Sequence, residues 1–330
     1  MQYRKFGNTS LKISEIGFGA WAIGGNAMVG NTAIGWGKAD DAVSAAAIHQ
    51  ALDCGVNFFD TADFYGLGHS ENLLGKLLAK NKEIIMATKV GHRNINETIQ
   101  LDYSKAYIIS ACEASLKRLQ RDTIDYYQLH SARMQHFEKE QCVEAMEILK
   151  QQGKIRYWGL SLNTFYPEPE ANYLMDNKKG HGFQLVYNII NQRALPLVKT
   201  AGENGFGIIA RMPLQFGLLT GKFSSETNFS GDDHRSFRFN KEILNDALKV
   251  LEEKIWPLCD KYNISKTALA LSYILSYDAV SVVIPGIRTA QHAIDNTTGT
   301  IKLAAADIEM IENIFTTDFA AVVNLMEKQG

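Results

Sequence analysis

The sequence has few cysteines, and none of them is paired at a metal-binding spacing. Cys54, Cys112, Cys142 and Cys259 are widely separated, so the C-x-x-C patterns of structural zinc sites are absent from the chain. Cys54 and Cys112 fall within helix-like stretches. Buried, reduced thiols in a reducing compartment are therefore the simplest interpretation.

The chain also lacks an excess of charge of one sign and any long apolar run. Its formal net charge is −2 over 330 residues, without a long basic run, which argues against nucleic acid or an anionic membrane as a partner. Residues 1–7 contain no apolar signal core, and no stretch is long enough to span a bilayer. We therefore expect a soluble, cytoplasmic protein with a large core.

Apolar, strand-like runs alternate with helix-like stretches along the whole chain. The predicted strands are Ile16–Trp21, Asn57–Asp60, Ile84–Lys89, Ile124–His130, Ile155–Leu162, Phe183–Ile190, Phe206–Arg211 and Val280–Ile284. Strands that are apolar on both faces are typical of a buried parallel sheet. Eight such units predict an α/β protein with a closed (β/α)8 TIM barrel, spanning residues 1–330 as one domain.

Three segments lie outside this repeat. Tyr3–Phe6 and Leu11–Ser14 predict an N-terminal β-hairpin that closes the bottom of the barrel. Gln215–Asn240 is predicted as a long polar loop, and the tail to Gly330 either packs across the barrel or is loose. The alternative fold is an open doubly wound sheet, but the early glycines do not have the G-x-G-x-x-G spacing that it favours.

Polar side chains follow three neighbouring strands where the apolar runs end. Asp60, Lys89 and His130 end the second, third and fourth predicted strands, and Tyr65 lies five residues beyond Asp60. The carboxyl ends of barrel strands form one mouth, where catalytic groups of TIM barrels lie. Each residue alone has an ordinary structural explanation. A change from apolar to polar residues at the ends of three neighbouring strands indicates a site.

These four residues suit acid–base chemistry on a carbonyl group. An isolated phenol holds its proton at neutral pH, but a nearby ammonium such as Lys89 stabilises the phenolate of Tyr65. Asp60 would keep Lys89 charged, and His130 would hydrogen-bond a carbonyl oxygen. The group could thus protonate a developing alkoxide. The sequence shows no metal cluster and no second nucleophile, so a nicotinamide hydride is the natural source of the electron pair.

Motifs spread over the whole chain resemble those of the aldo-keto reductases, in the bacterial-type branch with longer loops. They are Gly17–Gly19, Asp60–Gly66 with Ser70 and Glu71, Ala87–Lys89, Leu129 and His130, Gly153–Arg156, Gly159–Ser161, Gln184–Asn188, Pro213 and Leu214, Gly217–Lys222, and Ile284–Arg288. The resemblance implies NADPH-dependent reduction of aldehydes or ketones to alcohols, with NADH as a possible substitute. It makes Tyr65 the general acid, assisted by Lys89 and Asp60, and makes His130 the residue that orients the carbonyl.

The resemblance also implies a set of residues that bind the dinucleotide. Ser161 and Gln184 would hold the nicotinamide carboxamide, with Asn163 as a further candidate. The pyrophosphate would be clasped by Gly217, Leu219 and Lys222. Arg288 would contact the 2′-phosphate and Asn296 the adenine. Trp21, Pro213, Leu214 and Gly286 complete the implied contacts.

Two of the implied cofactor positions depart from the usual pattern of the family. Arg211 stands where many members have an aromatic ring that stacks on the nicotinamide; its planar guanidinium could stack instead, or bind the pyrophosphate. His292 stands where a glutamine often approaches the 2′-phosphate, which leaves the choice between NADPH and NADH open.

The substrate is expected to be a small-molecule carbonyl compound. Trp21, Phe64, His92 and the Gln215–Asn240 loop would shape its pocket, although Trp21 could equally belong to the core. Two alternatives remain open: a cofactor-sensing regulatory subunit with slow turnover, like the potassium-channel beta subunits of this family, and a sugar dehydrogenase that works in the oxidative direction. The sequence does not indicate an oligomeric state.

Overall fold

The computed structural model of the chain describes residues 1–35, 37, 39–229 and 233–329. Eight parallel strands form its centre, each paired with the next along the chain. In order, these first to eighth barrel strands are Phe18–Gly19, Phe58–Asp60, Ile85–Val90, Ile124–His130, Ile155–Ser161, Gly182–Val186, Gly207–Arg211 and Val280–Ile284. The predicted (β/α)8 barrel is confirmed.

The barrel closes where the first strand meets the eighth. Backbone bridges join Ile16 to Val283 and Gly19 to Gly286. A Cβ atom on Gly19 would lie 2.8 Å from the carbonyl oxygen of Pro285, so only glycine permits this approach. The first strand is shorter than predicted because a 3-10 turn, Ala20–Ile23, begins directly after it.

The predicted N-terminal hairpin is present and fills the lower end of the barrel. Strands Tyr3–Lys5 and Lys12–Ser14 pair antiparallel. Phe6 and Ile13 are fully buried in a cluster with residues that point into the barrel, and the ring of Phe6 lies 4.8 Å from that of Tyr126. Burial of these side chains anchors the hairpin as a plug.

Arg4 ties this hairpin to the last strand–helix unit. Its guanidinium donates hydrogen bonds to the backbone carbonyls of Leu275 at 2.7 Å, Val280 at 2.9 Å and Tyr277 at 3.2 Å. A rigid fork of N–H donors suits several carbonyl groups that converge on one point. The bottom of the barrel is thus fastened at the seam between its first and last units.

Helices cover the outside of the barrel, and several begin at a side-chain cap. Asp40 accepts hydrogen bonds from the backbone N–H groups of Ala42 and Val43, and Ser104 accepts one from that of Tyr107. The helices are Asp41–Asp53, His69–Leu78, Lys105–Leu119, Met134–Phe137, Gln141–Gln151, Glu168–Asp176, Leu195–Glu203, Lys241–Val250, Pro257–Tyr262, Lys266–Leu275, Ala290–Thr297, Ala305–Ile314 and Ala320–Gln329. None of the described helices has the length and apolar character needed to cross a membrane.

The structure differs from the predicted elements at the sixth strand and in two hairpins. The sixth strand was expected to reach Ile190 but ends at Val186, because the side chain of Asn188 accepts hydrogen bonds from the backbone N–H groups of Ile190 and Asn191 and forms a turn. Two short hairpins near the mouth of the barrel were not predicted. They are Met28–Val29 with Thr32–Ala33, and His92–Ile95 with Thr98–Leu101.

The segment from Gln215 to Asn240 is less polar in its contacts than predicted. It contains 3-10 turns at Gln215–Thr220 and His234–Phe237. The rings of Phe216, Phe223, Phe229 and Phe239 pack together with centroid separations of 5.2 to 6.3 Å. The tail is also resolved: helix Ala320–Gln329 packs on the protein and buries three of its side chains, those of Val322, Val323 and Met326.

Candidate active site

A cavity of about 780 Å³ opens at the carboxyl ends of the barrel strands. Asp60, His130, Ser161, Gln184 and Arg211 line it from the second, fourth, fifth, sixth and seventh barrel strands. Catalytic sites of TIM barrels lie at this face. The cavity therefore stands where the sequence predicted a site.

Lys89 joins three of the four predicted catalytic residues. Its ammonium is fully buried and donates to Asp60 Oδ2 at 2.6 Å, to the backbone carbonyl of Thr61 at 2.8 Å and to the Tyr65 hydroxyl at 3.2 Å. Burial alone would lower the pKa of Lys89, but Asp60 and Tyr65 raise it above its ordinary value. The ammonium is therefore charged and directed at the tyrosine.

Two glutamine side chains fix the other carboxylate oxygen of Asp60. Gln128 and Gln184 donate to Oδ1 at 2.9 and 2.8 Å. Gln184 lines the cavity as expected, with its amide nitrogen directed at Asp60. Gln128 was not predicted, although its position two residues before His130 places it on the same face of the fourth strand. Gln128 could have been predicted from the sequence, because it is a polar residue at an inward position of a buried strand.

Tyr65 reaches the site from a strained turn after the second barrel strand. Gly66 has φ 62°, and a Cβ atom there would lie 2.0 Å from the carbonyl oxygen of Gly24. Only glycine fits this turn. The Tyr65 ring lies 6.1 Å from that of Trp21 and 6.0 Å from that of His130. The turn thus brings the phenol to Lys89 and beside the imidazole.

His130 forms a pair with a second histidine, His92. Their ring centroids are 4.3 Å apart, with planes inclined at 79°. Burial lowers the pKa of His130 well below its usual value, and the neighbouring His92, Lys89 and Arg211 lower it further. Burial also lowers the pKa of His92 to about 4. Both rings are therefore neutral near pH 7.

A buried glutamate connects two elements next to the candidate catalytic residues. Glu71 is fully buried, accepts a 2.5 Å hydrogen bond from the Thr88 hydroxyl and pairs with the guanidinium of Arg118 at 2.6 Å. Thr88 directly precedes Lys89, so Glu71 connects the third barrel strand to the start of helix His69–Leu78. The Ser70–Glu71 motif therefore has a structural role next to the site.

The lining of the cavity includes most of the residues that the resemblance assigned to the dinucleotide phosphates and adenine. Lys222, Arg288, His292 and Asn296 line it, as do Pro213, Leu214, Gly217 and Gly286. Burial lowers the pKa of His292, and the charges of Lys222 and Arg288 lower it further, against an opposing effect of Asp295. The Nδ2 atom of Asn296 is buried and has no hydrogen-bond partner among the described residues.

Two of the residues predicted to bind the cofactor do not line the cavity. The side chain of Asn163 accepts hydrogen bonds from the backbone N–H groups of Phe165 and Tyr166. Leu219 is buried to 1% exposure, and its backbone N–H donates to the carbonyl of Leu214. Their suggested contacts with a cofactor remain predictions.

Arg211 and Trp21 both line the cavity on the side of Tyr65. Arg211 donates to the carbonyl of Leu162 at 3.2 Å and to the hydroxyl of Thr164 at 3.1 Å, and burial lowers its pKa to about 10, so it stays charged. The indole of Trp21 donates to the carbonyl of Ile34 at 3.1 Å, which gives it a role in the cavity wall. Whether Arg211 stacks on a nicotinamide remains a prediction.

Several further residues in the cavity wall were not singled out from the sequence. Met326 comes from the C-terminal helix and Thr164 from the loop after the fifth strand, and neither position carries a signal in the sequence. Arg238 also lines the cavity, where burial lowers its pKa. Within the described parts of the chain, no three His, Cys, Asp or Glu side chains come together in a way that could hold a metal ion.

Comparison with known proteins agrees with this geometry. The model of the Aldo/keto reductase family matches residues 15–315. The chain belongs to the aldo/keto reductase family. Members of this family are oxidoreductases that depend on NAD(P)H, and this aldo/keto reductase is an enzyme of that class. The resemblance inferred from the sequence is thereby confirmed.

Relatives of this aldo/keto reductase match it over most of their length. The uncharacterized oxidoreductase YqkF of Bacillus subtilis (strain 168) is 32% identical, over 90% of either chain. The aldo-keto reductase yakc [NADP(+)] of Schizosaccharomyces pombe is 30% identical, over 99% of this chain and 94% of its own. Among solved structures, the holo form of aldo-keto reductase AKR11C1 from Bacillus halodurans matches with a TM-score of 0.79, at 28% identity over 95% of this chain and 96% of its own.

Proposed function

We propose that the protein reduces small aldehydes or ketones to alcohols with NADPH, and that Tyr65 is the general acid. The observation that carries this proposal is the contact of one buried ammonium, Lys89, with both Asp60 and the hydroxyl of Tyr65. An ammonium held by a carboxylate stabilises the phenolate that remains after a tyrosine gives up its proton. The arrangement thus suits a tyrosine that acts as an acid near neutral pH.

Each residue of the site has a distinct task in this proposal. The neutral imidazole of His130 donates a hydrogen bond to the carbonyl oxygen and holds it next to Tyr65. Tyr65 transfers its proton to that oxygen as negative charge develops there. Lys89 and Asp60 stabilise the resulting phenolate. A bound nicotinamide cofactor would supply the hydride that reduces the carbonyl carbon.

The basic and polar residues in the lining of the cavity fit a phosphorylated dinucleotide. The cavity is continuous from Tyr65 to Asn296, and Lys222 and Arg288 provide positive charge where phosphates would lie. The unpartnered Nδ2 atom of Asn296 offers a donor for a ring nitrogen of adenine. These features support NADPH as the cofactor. The Schizosaccharomyces pombe relative carries NADP(+) in its name. NADH stays the alternative, because a relative from Escherichia coli (strain K12), 26% identical, is named as an NADH-specific methylglyoxal reductase.

Replacing Tyr65 by phenylalanine tests the proposal. The change keeps the ring and removes the acidic hydroxyl, so carbonyl reduction should fall by about 10²- to 10⁴-fold while NADPH still binds. Tyr166→Phe is a matched control, because Tyr166 is 60% exposed and lies outside the lining of the cavity. Turnover is followed by NADPH absorbance with an aromatic aldehyde. Unchanged turnover in Tyr65→Phe would refute the assignment.

A regulatory subunit that senses the cofactor is the second candidate. A relative from rice, 27% identical over 90% of either chain, is named as a probable voltage-gated potassium channel subunit beta. A sensing role predicts tight NADPH binding with very slow turnover of every carbonyl compound tested. Fast turnover of any of them would exclude it.

A sugar dehydrogenase is the third candidate. L-galactose dehydrogenase of Arabidopsis thaliana is 27% identical over 94% of this chain. The rates of both directions, measured at equal concentrations of NADPH and NADP+, separate oxidation from reduction. A cytoplasmic location remains part of the proposal and agrees with the buried, unpaired thiols of Cys112 and Cys142; cell fractionation would test it.

A further inference from the structure

A second imidazole faces the reaction site, and the proposed mechanism gives it no task. His92 begins the hairpin that follows the third barrel strand, and it lines the cavity beside His130. Its Nδ1 atom is buried and has no hydrogen-bond partner among the described residues. An unsatisfied buried polar group costs about 1–3 kcal/mol, so a histidine here needs an explanation.

The orientation of the His92 ring directs its other nitrogen at the cavity. Nδ1 is shut off from the cavity while the residue lines it, so the edge with Nε2 is the one exposed there. The described hydrogen bonds include none from either nitrogen of this ring. Nε2 of the neutral ring therefore offers one uncharged hydrogen-bonding group to a ligand.

Two apolar side chains lie in the cavity wall beside His92. Its ring lies 5.4 Å from that of Phe64, and Ile99 of the same hairpin also lines the cavity. One hydrogen-bonding group on an apolar wall selects ligands that have a polar atom at that point and rejects those that lack it. The position of the His92 imidazole relative to His130 then determines where on the substrate the polar atom must be.

We propose that His92 binds an oxygen on the carbon next to the substrate carbonyl, so that 2-hydroxy aldehydes, 2-hydroxy ketones and 1,2-dicarbonyl compounds are the preferred substrates. This inference rests on the proposed function, in which His130 holds the carbonyl oxygen. Oxygens on adjacent carbons are separated by about the length of a hydrogen bond. Two imidazoles with centroids 4.3 Å apart can therefore bind both oxygens of such a pair at once.

A pair of aldehydes that differ by one hydroxyl group tests this role. The value of kcat/KM is measured for glycolaldehyde and acetaldehyde with NADPH, in the wild type, His92→Phe and His92→Gln. A neutral hydrogen bond contributes about 0.5–1.5 kcal/mol, so His92→Phe should lower the preference for glycolaldehyde by about 3- to 10-fold. His92→Gln retains a hydrogen-bonding group and should restore part of the preference. Leu101→Gln is the control, since Leu101 is exposed on the same hairpin outside the lining of the cavity.

The outcomes separate this inference from the proposed function. Equal losses for both aldehydes in His92→Phe would overturn it and would show that His92 only positions His130. If the wild type turns over neither aldehyde, the proposed reductase function fails for these compounds. The quench of bound NADPH fluorescence by the two aldehydes then decides the role of His92. A loss for glycolaldehyde alone supports the role, and equal losses overturn it.

Discussion

Replacing Asp60 by asparagine should destabilise the protein through Lys89. The Lys89 ammonium is fully buried and lies 2.6 Å from Asp60 Oδ2. Asparagine keeps the shape of the side chain but removes the negative charge. Its amide has only one oxygen, so its NH2 group would face either the Lys89 ammonium or the donating nitrogens of Gln128 and Gln184. The variant thus leaves a buried cation without its counter-charge and sets donors against donors.

The size of the effect follows from the separation of the two charges. With an effective dielectric constant of about 20, Coulomb's law gives roughly 6 kcal/mol of attraction for the Lys89–Asp60 pair. Desolvation offsets part of this, and removal of one partner of a buried pair costs about 3–5 kcal/mol. We expect a loss of that size in the free energy of unfolding at pH 7. In Asp60→Asn the carboxylate no longer raises the pKa of Lys89, and burial lowers it. Lys89 can then be neutral in the folded variant, so the loss of stability should shrink as the pH rises toward 10.

Urea unfolding of four proteins measures this effect: the wild type, Asp60→Asn, Lys89→Met and the double variant. The double variant should recover most of the loss, because neither charge of the Lys89–Asp60 pair is then left buried without its partner. Asp41→Asn, which removes a half-exposed carboxylate paired with His69, is the control and should change little. A loss below about 1 kcal/mol in Asp60→Asn, or a double variant no more stable than it, would refute the reasoning.

Three further changes test other parts of the structure. Gly19→Ala should lower the free energy of unfolding by about 1–3 kcal/mol through the clash with Pro285, whereas Gly286→Ala, with nothing within 4 Å of its Cβ, should not; similar urea midpoints would contradict this. Arg288→Ala should weaken NADPH more than NADH in fluorescence titrations, and equal losses would remove the 2′-phosphate assignment. Burial lowers the pKa of His92 from 6.5 to about 4 in the folded protein. Between these values the unfolded chain binds the proton and the folded protein does not, so stability falls as the pH drops through this range. His92→Gln should make the fall between pH 7 and pH 5 shallower, and an unchanged fall would contradict the burial of this ring.

The places of three candidate catalytic residues at the mouth of the barrel were predictable because each ends an apolar run. Asp60, Lys89 and His130 mark the points where buried strands reach the mouth of the barrel, and eight strand-like runs fix the barrel itself. Such a change from apolar to polar is a local signal that a single sequence contains.

The contacts among inward-facing residues could not be predicted in the same way. The meeting of Gln128 and Gln184 at Asp60 depends on the stagger of three strands, which residue patterns do not determine. The early end of the sixth strand depends on one side chain, Asn188, whose hydrogen bonds override an apolar, strand-like run. The pairing of His92 with His130 likewise needs a hairpin whose residues show no regular apolar pattern.

The hydrogen bonds of Arg4 bear on the order in which the chain folds during synthesis. They join the fourth residue to backbone groups that are made 271 to 276 residues later. The hairpin plug therefore leaves the ribosome before the barrel strands, but it can be fastened only after the last of them has been made. Until the eighth strand emerges, the first strand has no partner on one side, and its backbone groups stay open to other strands. A chain stopped before Val280 would carry all four candidate catalytic residues and yet lack a closed barrel to hold them.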